Sequence, residues 1–230
     1  MTTAWRSTTW LLLGASLILA LSLGTRHGFG LFLPPMSAEF GWGREVFAFA
    51  IAVQNLIWGL VQPVTGALAD RFGVARAVLI GGILYAVGLA LMAVSGSPAT
   101  LTLSAGLLIG LGLSGTSFSV ILGAVGRAVP PEKRSMAMGI ASAAGSFGQF
   151  IMLPGSLGLI EWLGWSSALL ALASLVALIV PLAGMMRSPA QAPAAAGTQQ
   201  SLGEALREAV GHSGFRLLAL GFFVCGFQVV

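Results

Sequence analysis

The sequence predicts an all-α integral membrane protein, a bundle of six transmembrane helices followed by a connector and the start of a seventh. Three observations carry this. Hydrophobic residues make up 57% of the 230-residue chain, charged residues only 8%, and the mean hydropathy is +0.94. A soluble domain carries roughly 25% charge, and so few charges cannot cover the surface of a water-soluble chain of this size. Apolar runs near the ~20 residues that a span requires fall at 10–33, 46–69, 77–95, 99–126, 135–160 and 165–186, and another begins near 217. Lipid cannot satisfy open backbone groups, so each run is expected to be helical.

The elements follow in order. The first run resembles a signal peptide but is too long for one, and six similar runs follow it, so it reads as an uncleaved span. The next five are joined by short connectors. Residues 187–215 then switch to Ala, Pro, Gln, Gly and charge, the composition of a linker. Within them SLGEALREAV has the pattern of a short amphipathic helix, with Ser201 as N-cap and Glu204 at the capping-box position. The expected organisation is therefore 1–186 as the six-helix unit, 187–215 as a cytoplasmic linker and 216–230 as the truncated start of a seventh helix.

Loop charges set the expected orientation. With the N-terminus inside, the cytoplasmic face receives Arg6, Arg71, Arg76, Arg127, Lys133, Arg134, Arg187, Arg207 and Arg216, and the opposite face only Arg44. The expected location is the inner (plasma) membrane. The net charge of +4 comes from scattered basic residues with no dense patch, which excludes a nucleic-acid-binding reading. The single cysteine, Cys225, allows no intramolecular disulfide.

The most specific local pattern follows the second span: Gly66-Ala-Leu-Ala-Asp70-Arg71-Phe-Gly73-Val-Ala-Arg76. Gly66 and Gly73 allow a tight turn and close helix approach. Asp70 can sit against a helix N-terminus, and Arg71 and Arg76 can pair with acidic groups across the same face. This segment resembles the cytoplasmic signature of the major facilitator superfamily, with Val74 and Ala75 where that pattern usually has basic residues. A second segment, Lys133-Arg134-Ser-Met-Ala137-Met-Gly139-Ile140-Ala141-Ser-Ala143-Ala-Gly145-Ser-Phe-Gly148, enters the fifth span. It resembles the fifth-helix signature of the monocarboxylate transporter family and its bacterial, oxalate–formate antiporter-like relatives. The stretch Arg26-His27-Gly28-Phe29-Gly30-Leu-Phe-Leu-Pro34-Pro35-Met36-Ser-Ala-Glu39-Phe40-Gly41-Trp42 is similar to the same bacterial branch. Gly106 stands where many proton-coupled drug exporters carry an arginine, which argues against a drug–proton antiporter. The acidic residue that animal members carry early in the first span is absent.

The resemblance implies one half of a six-plus-six transporter, built from two inverted three-helix repeats, with a C-terminal half beyond this chain. It also implies a gate formed by Gly66, Asp70, Arg71, Gly73, Arg76 and Arg134.

Arg26 is the chemical outlier. It lies about 16 residues into the first span, roughly 24 Å from the cytoplasmic end. An intramembrane arginine is disfavoured by at least ~2.5 kcal/mol on insertion scales, so it points to function. The alternative is a side chain snorkelling to the outer interface. His27 lies about 100° round the helix and reads as a packed or interface residue. Gln54, Asn55, Trp58, Gln62, Ser114, Thr116, Ser117, Phe118 and Gln149 lie at matching depth and complete a candidate polar belt near the midplane, where helix–helix hydrogen bonding is the competing explanation and packing the favoured one for the fourth-span hydroxyls.

Nothing points to catalysis. There is no G-x-S-x-G serine, and His27 and His212 cannot form H-E-x-x-H, so no metal or cofactor is implied. Asp and Glu fall in loops or at span ends. The expected function is alternating-access transport of a small organic anion, most simply a monocarboxylate, by proton symport or by anion exchange. The alternative is a non-transporting membrane fragment or assembly subunit that needs a second half.

Overall fold

A computed structural model describes residues 3–186 and 202–229, and these are helical nearly throughout, with no strand among them. Six helical segments are long and apolar enough to cross a membrane: Thr8–Phe40, Arg44–Phe72, Val74–Met92, Pro98–Ala128, Pro131–Leu163 and Trp165–Met186, the first to sixth spans below. The chain divides into two compact units, Met1–Ser188 and Pro189–Val230. The connector at 187–201, the expected cap Ser201, and the side chains of Arg6, Arg187 and Cys225 lie outside the described residues.

Three spans differ from uninterrupted helices; the sixth turns at Leu178, three residues before Pro181, and ends as a 3-10 helix over Ala183–Met186. The first span continues to Phe40, beyond the expected end near residue 33. It tightens to a 3-10 helix over Gly28–Phe32, and Pro34 and Pro35 fall in the first turn of the segment Leu33–Phe40, where a missing N–H is tolerated. The fourth span contains a π-helical stretch, Thr102–Leu108. It then loses helical form at Thr116 and Ser117 before resuming as Phe118–Ala128. The fourth is the most buried of the six spans and the second the least. Such a break at membrane depth is tolerated where the backbone is enclosed by protein or lines a water-filled cavity.

The first span packs mainly against the fifth, the second against the fourth, and the third against the fourth and sixth. Exchanging the first three spans with the last three maps the first–fifth pair onto the fourth–second pair. The second and fifth spans, equivalent under this exchange, each carry an internal proline, Pro63 and Pro154. Glycines set the close crossings. A Cβ on Gly24 would stand 2.7 Å from the Gly148 carbonyl oxygen of the fifth span, and one on Gly110 would stand 2.9 Å from that of Gln54 in the second. At one end of the bundle Phe40 stacks on Trp42 with ring centroids 4.4 Å apart, and Trp165 of the sixth span donates to the Glu39 carboxylate at 2.5 Å.

The second unit contains the helices Leu202–Gly211 and Ser213–Val229. The latter begins three residues before the expected boundary at 216, because His212 closes the preceding helix by bonding back to Glu208 and Ala209.

Candidate functional site

Asn55 and Trp58 are three residues apart on the second span and so share one face of the helix. Both meet Arg26. The Arg26 Nη2 donates to Asn55 Oδ1, and the guanidinium carbon stands 5.3 Å from the centroid of the Trp58 ring. A cation held this way over tryptophan gains about 0.5–2 kcal/mol. Arg26 has no carboxylate partner among the described residues. Its Nε is buried and makes no hydrogen bond among the described residues. A partly buried cation is thus held by an amide and an aromatic face, with a donor left over.

The remaining candidates divide differently. Gln54 is fully buried and donates through Nε2 to the Ala105 carbonyl of the fourth span at 2.7 Å. One residue from Asn55, it points about 100° away from Arg26, between two helices. Phe118, half-buried, packs its ring tip 3.5 Å from where a Cβ on Gly145 would lie, so it fills the space left by that glycine. Gln149 is partly exposed, next to the Gly148 crossing, and has no hydrogen-bond partner among the described residues. The structure therefore brings Arg26, Asn55 and Trp58 together and seats Gln54 and Phe118 in helix contacts.

Tyr85 and Thr65 are absent from the sequence reading, and the partners of Ser22, Gln62 and the fourth-span hydroxyls are visible only in the structure. Tyr85, the sole tyrosine, is completely buried in the third span and donates to the Ser22 carbonyl at 3.1 Å. The Ser22 hydroxyl lies 2.8 Å from that of Thr116, at the break in the fourth span. Below this, Gln62 bonds Ser117 at 2.8 Å, and Thr65 lies 2.9 Å from the Ser114 hydroxyl. The hydroxyls of the fourth span thus tie it to its neighbours. The signal available in sequence was their clustering at 114, 116 and 117 opposite Gln62 and Thr65.

At the far end of the second span, Asp70 accepts a salt bridge from Arg127 at 3.2 Å, which joins the second–third and fourth–fifth connectors. Arg127 lies in the last turn of its helix, where the dipole favours a cation. Asp70 therefore finds an arginine rather than the helix N-terminus considered from sequence. Arg71 lies over the Phe72 ring at 5.3 Å, and Arg76 is exposed, with no ion pair among the described residues. Gly73 ends the span at φ +93°, a conformation that side-chain-bearing residues rarely adopt. Gly66 makes no close approach, since a Cβ there would meet nothing within 4 Å. Arg134 is exposed, with its stem 3.7 Å from the corresponding position at Gly126.

Comparison with known proteins agrees with this architecture. The chain is 29% identical to mouse monocarboxylate transporter 11 over 167 residues, covering 73% of this chain and 37% of that protein. It is 31% identical to bovine monocarboxylate transporter 13 over 194 residues, 82% of this chain and 44% of the relative. An uncharacterized MFS-type transporter of Escherichia coli K12, YhjX, is 32% identical over 144 residues, 63% and 35% of the two chains. The chain thus spans less than half the length of these curated relatives. The family model of the Major Facilitator Superfamily matches residues 5–230, and with six apolar spans in an all-helical bundle the chain belongs to that superfamily of membrane transporters.

Proposed function

We propose that this chain forms the N-terminal half of a secondary transporter that moves a small organic anion, a monocarboxylate in the simplest case, by alternating access. The carrying observation is Arg26, a cation at membrane depth with no carboxylate partner among the described residues, held by Asn55 and Trp58 and retaining a buried donor without a partner among them. A carboxylate arriving at this guanidinium finds charge and fork-shaped donors together. The names of the monocarboxylate transporter relatives support the same substrate class. Gln149, with free hydrogen-bonding capacity, is the second polar group offered to the ligand, while Gln54 and Phe118 set the spacing of the spans around it. Substrate specificity and closure of the pathway require the C-terminal half.

In this reading the connectors at Asp70 and Arg127 form a gate on the cytoplasmic face, together with Gly66, Arg71, Gly73, Arg76 and Arg134, and the N-terminus is cytoplasmic in the plasma membrane. All seven Asp and Glu residues lie at span ends, in connectors or in the second unit, so the first unit offers no midplane carboxylate to carry a proton. Exchange against a second anion therefore needs fewer parts from this half than proton symport does.

The test is uptake of labelled lactate, pyruvate and oxalate by the full-length protein carrying Arg26→Lys, Arg26→Gln or Arg26→Leu at matched membrane abundance. Removing a charged hydrogen-bonding partner weakens binding by about 1.5–3 kcal/mol, roughly ten- to a hundredfold. Lysine is expected to retain part of the activity and glutamine very little. Normal uptake by Arg26→Leu would remove Arg26 from the site.

A further inference from the structure

Tyr85 and Thr116 meet the first span on either side of the turn that bears Arg26. The Tyr85 hydroxyl donates to the carbonyl oxygen of Ser22 at 3.1 Å. In an α-helix that same oxygen accepts from the N–H four residues on, which here is Arg26. A carbonyl has two lone pairs, so the phenol and the Arg26 backbone share one acceptor. On the other side of Arg26, the Tyr85 ring meets Phe29 edge to face, with centroids 6.5 Å apart. The third span therefore touches the first both before and after the arginine. Thr116 adds a hold from the fourth span: its hydroxyl lies 3.2 Å from the Gly112 carbonyl oxygen and 2.8 Å from the Ser22 hydroxyl, with which it shares a hydrogen bond. Ser22, Thr116 and Tyr85 are all fully buried.

We infer that Tyr85 and Thr116, clasping Ser22, are positioning residues for Arg26, fixing the turn that carries the guanidinium so that the third and fourth spans help set the affinity of the anion site. This rests on the reading of Arg26 as the anion-binding group. The geometry has a consequence for the transport cycle. Thr116 lies where the fourth span loses helical form, the point at which the half-helix Phe118–Ala128 can tilt against the segment before it. A tilt there pulls on Ser22 and, one turn on, on Arg26. Movement of the fourth span and reorientation of the arginine are thereby coupled through two hydroxyls.

Tyr85→Phe removes one oxygen and leaves the ring contact. In the full-length transporter the concentration dependence of lactate, pyruvate and oxalate uptake is expected to show KM raised about three- to tenfold, the worth of one buried hydrogen bond, with maximal rate per molecule within twofold of wild type. The same substitution in an Arg26→Lys background is expected to change KM far less, because both act on one interaction. A second measurement needs no known substrate. Phenylglyoxal modification of arginines, followed by peptide mass spectrometry, is expected to proceed at least about threefold faster at Arg26 in Tyr85→Phe and in Thr116→Val than in wild type, with Arg71 and Arg76 unchanged as internal standards. Lower thermal stability with unchanged KM and unchanged Arg26 modification in both variants overturns the inference and leaves Tyr85 a packing residue. Normal uptake by Arg26→Gln overturns instead the reading on which it rests, and the modification rates still report whether Tyr85 and Thr116 hold that side chain.

Discussion

Gly148→Ala asks whether the first span is held where the structure places it. The residue sits in the fifth span against the backbone of Ala20, and an added Cβ would stand 2.7 Å from the Ala20 carbonyl carbon. Carbon atoms rest at about 3.5–4.0 Å, so the two helices must part by roughly 1 Å or the methyl must be accommodated by bending. The obstacle is main chain, which no rotamer change removes. Overpacking of this kind lowers stability by about 1–3 kcal/mol. Helix propensity acts in the opposite direction, since alanine exceeds glycine by about 0.8–1.0 kcal/mol within a helix. Gly139, Gly155 and Gly158 lie in the same helix, where an added Cβ would meet nothing within 4 Å, and they isolate the propensity effect. Alanine at those three positions is therefore expected to leave the protein unchanged or slightly stabilised, and alanine at Gly148 to destabilise it. Each kcal/mol corresponds to about 2–4 °C for a chain of roughly 150–250 residues and to less for the longer full-length protein. The assay is thermal denaturation of the full-length protein in detergent, read as loss of the monodisperse peak on size-exclusion chromatography. Equal melting of Gly148→Ala and Gly155→Ala would refute the close crossing, and with it the placement of Arg26 relative to the fifth span.

Three further outcomes are expected. Gln54→Met keeps the side-chain volume but deletes the bond to the Ala105 carbonyl, so it should lower thermal stability by about 0.5–2 kcal/mol while leaving KM within twofold; a selective rise in KM would instead place Gln54 in the anion site. Asp70→Asn should spare insertion and slow turnover, and Arg127→Gln should do the same without an additive effect in the double variant, since the two residues share an ion pair; normal exchange rates at normal expression would exclude a gating role. Cysteines at Ser97 and Ser201 should react with impermeant reagents from opposite sides of the membrane, and labelling of Ser201 from outside intact cells would reverse the proposed orientation.

The spans were legible in sequence because apolar length is the quantity a bilayer selects. All six observed segments overlap the expected runs. Their ends were less legible, because apolarity stops before helicity does: Pro34 and Pro35 look like loop residues, yet they open a helical turn that extends the first span to Phe40. The break at Thr116 and Ser117 was hidden for a related reason. Gly, Ser and Thr are compatible with a continuous transmembrane helix, and only the partners Ser22 and Gln62 on other spans show where the backbone turns. Among the site candidates, depth selected Arg26, Asn55, Trp58 and Gln54 alike, and only the structure shows that the first three meet. Depth along a helix is set by counting residues, whereas direction around it depends on a neighbour, and one residue separates Asn55 beside Arg26 from Gln54 beside Ala105.

Polar side chains in an apolar bundle differ in whether their hydrogen-bonding capacity is used up. Among the described residues, the buried polar atoms without a hydrogen-bond partner are Thr25 Oγ1, Gln54 Oε1, Ser156 Oγ and Arg26 Nε, and of these only Arg26 carries a charge. Gln62 donates to Ser117 and to the Ser114 carbonyl and accepts from Ser117, so its amide is fully engaged in joining two spans. Arg26 carries five donors. One reaches Asn55, Nε is buried without a partner, and no carboxylate among the described residues neutralises the charge. Embedding the cation is unfavourable by at least ~2.5 kcal/mol, and the contact with Trp58 returns about 0.5–2 kcal/mol. Leucine removes the charge, keeps apolar bulk against the ring and leaves only Asn55 to turn toward water, which its partial exposure permits. In the absence of substrate, Arg26→Leu is therefore expected to raise thermal stability by about 1 kcal/mol while losing uptake, the trade expected of a residue kept for binding rather than for the fold. An anion bound by the wild type should stabilise it in proportion to ligand occupancy and should not stabilise Arg26→Leu. Melting of both proteins with and without lactate, pyruvate and oxalate measures the two effects together. A leucine variant less stable than wild type would show that Arg26 is a structural tie between the first and second spans.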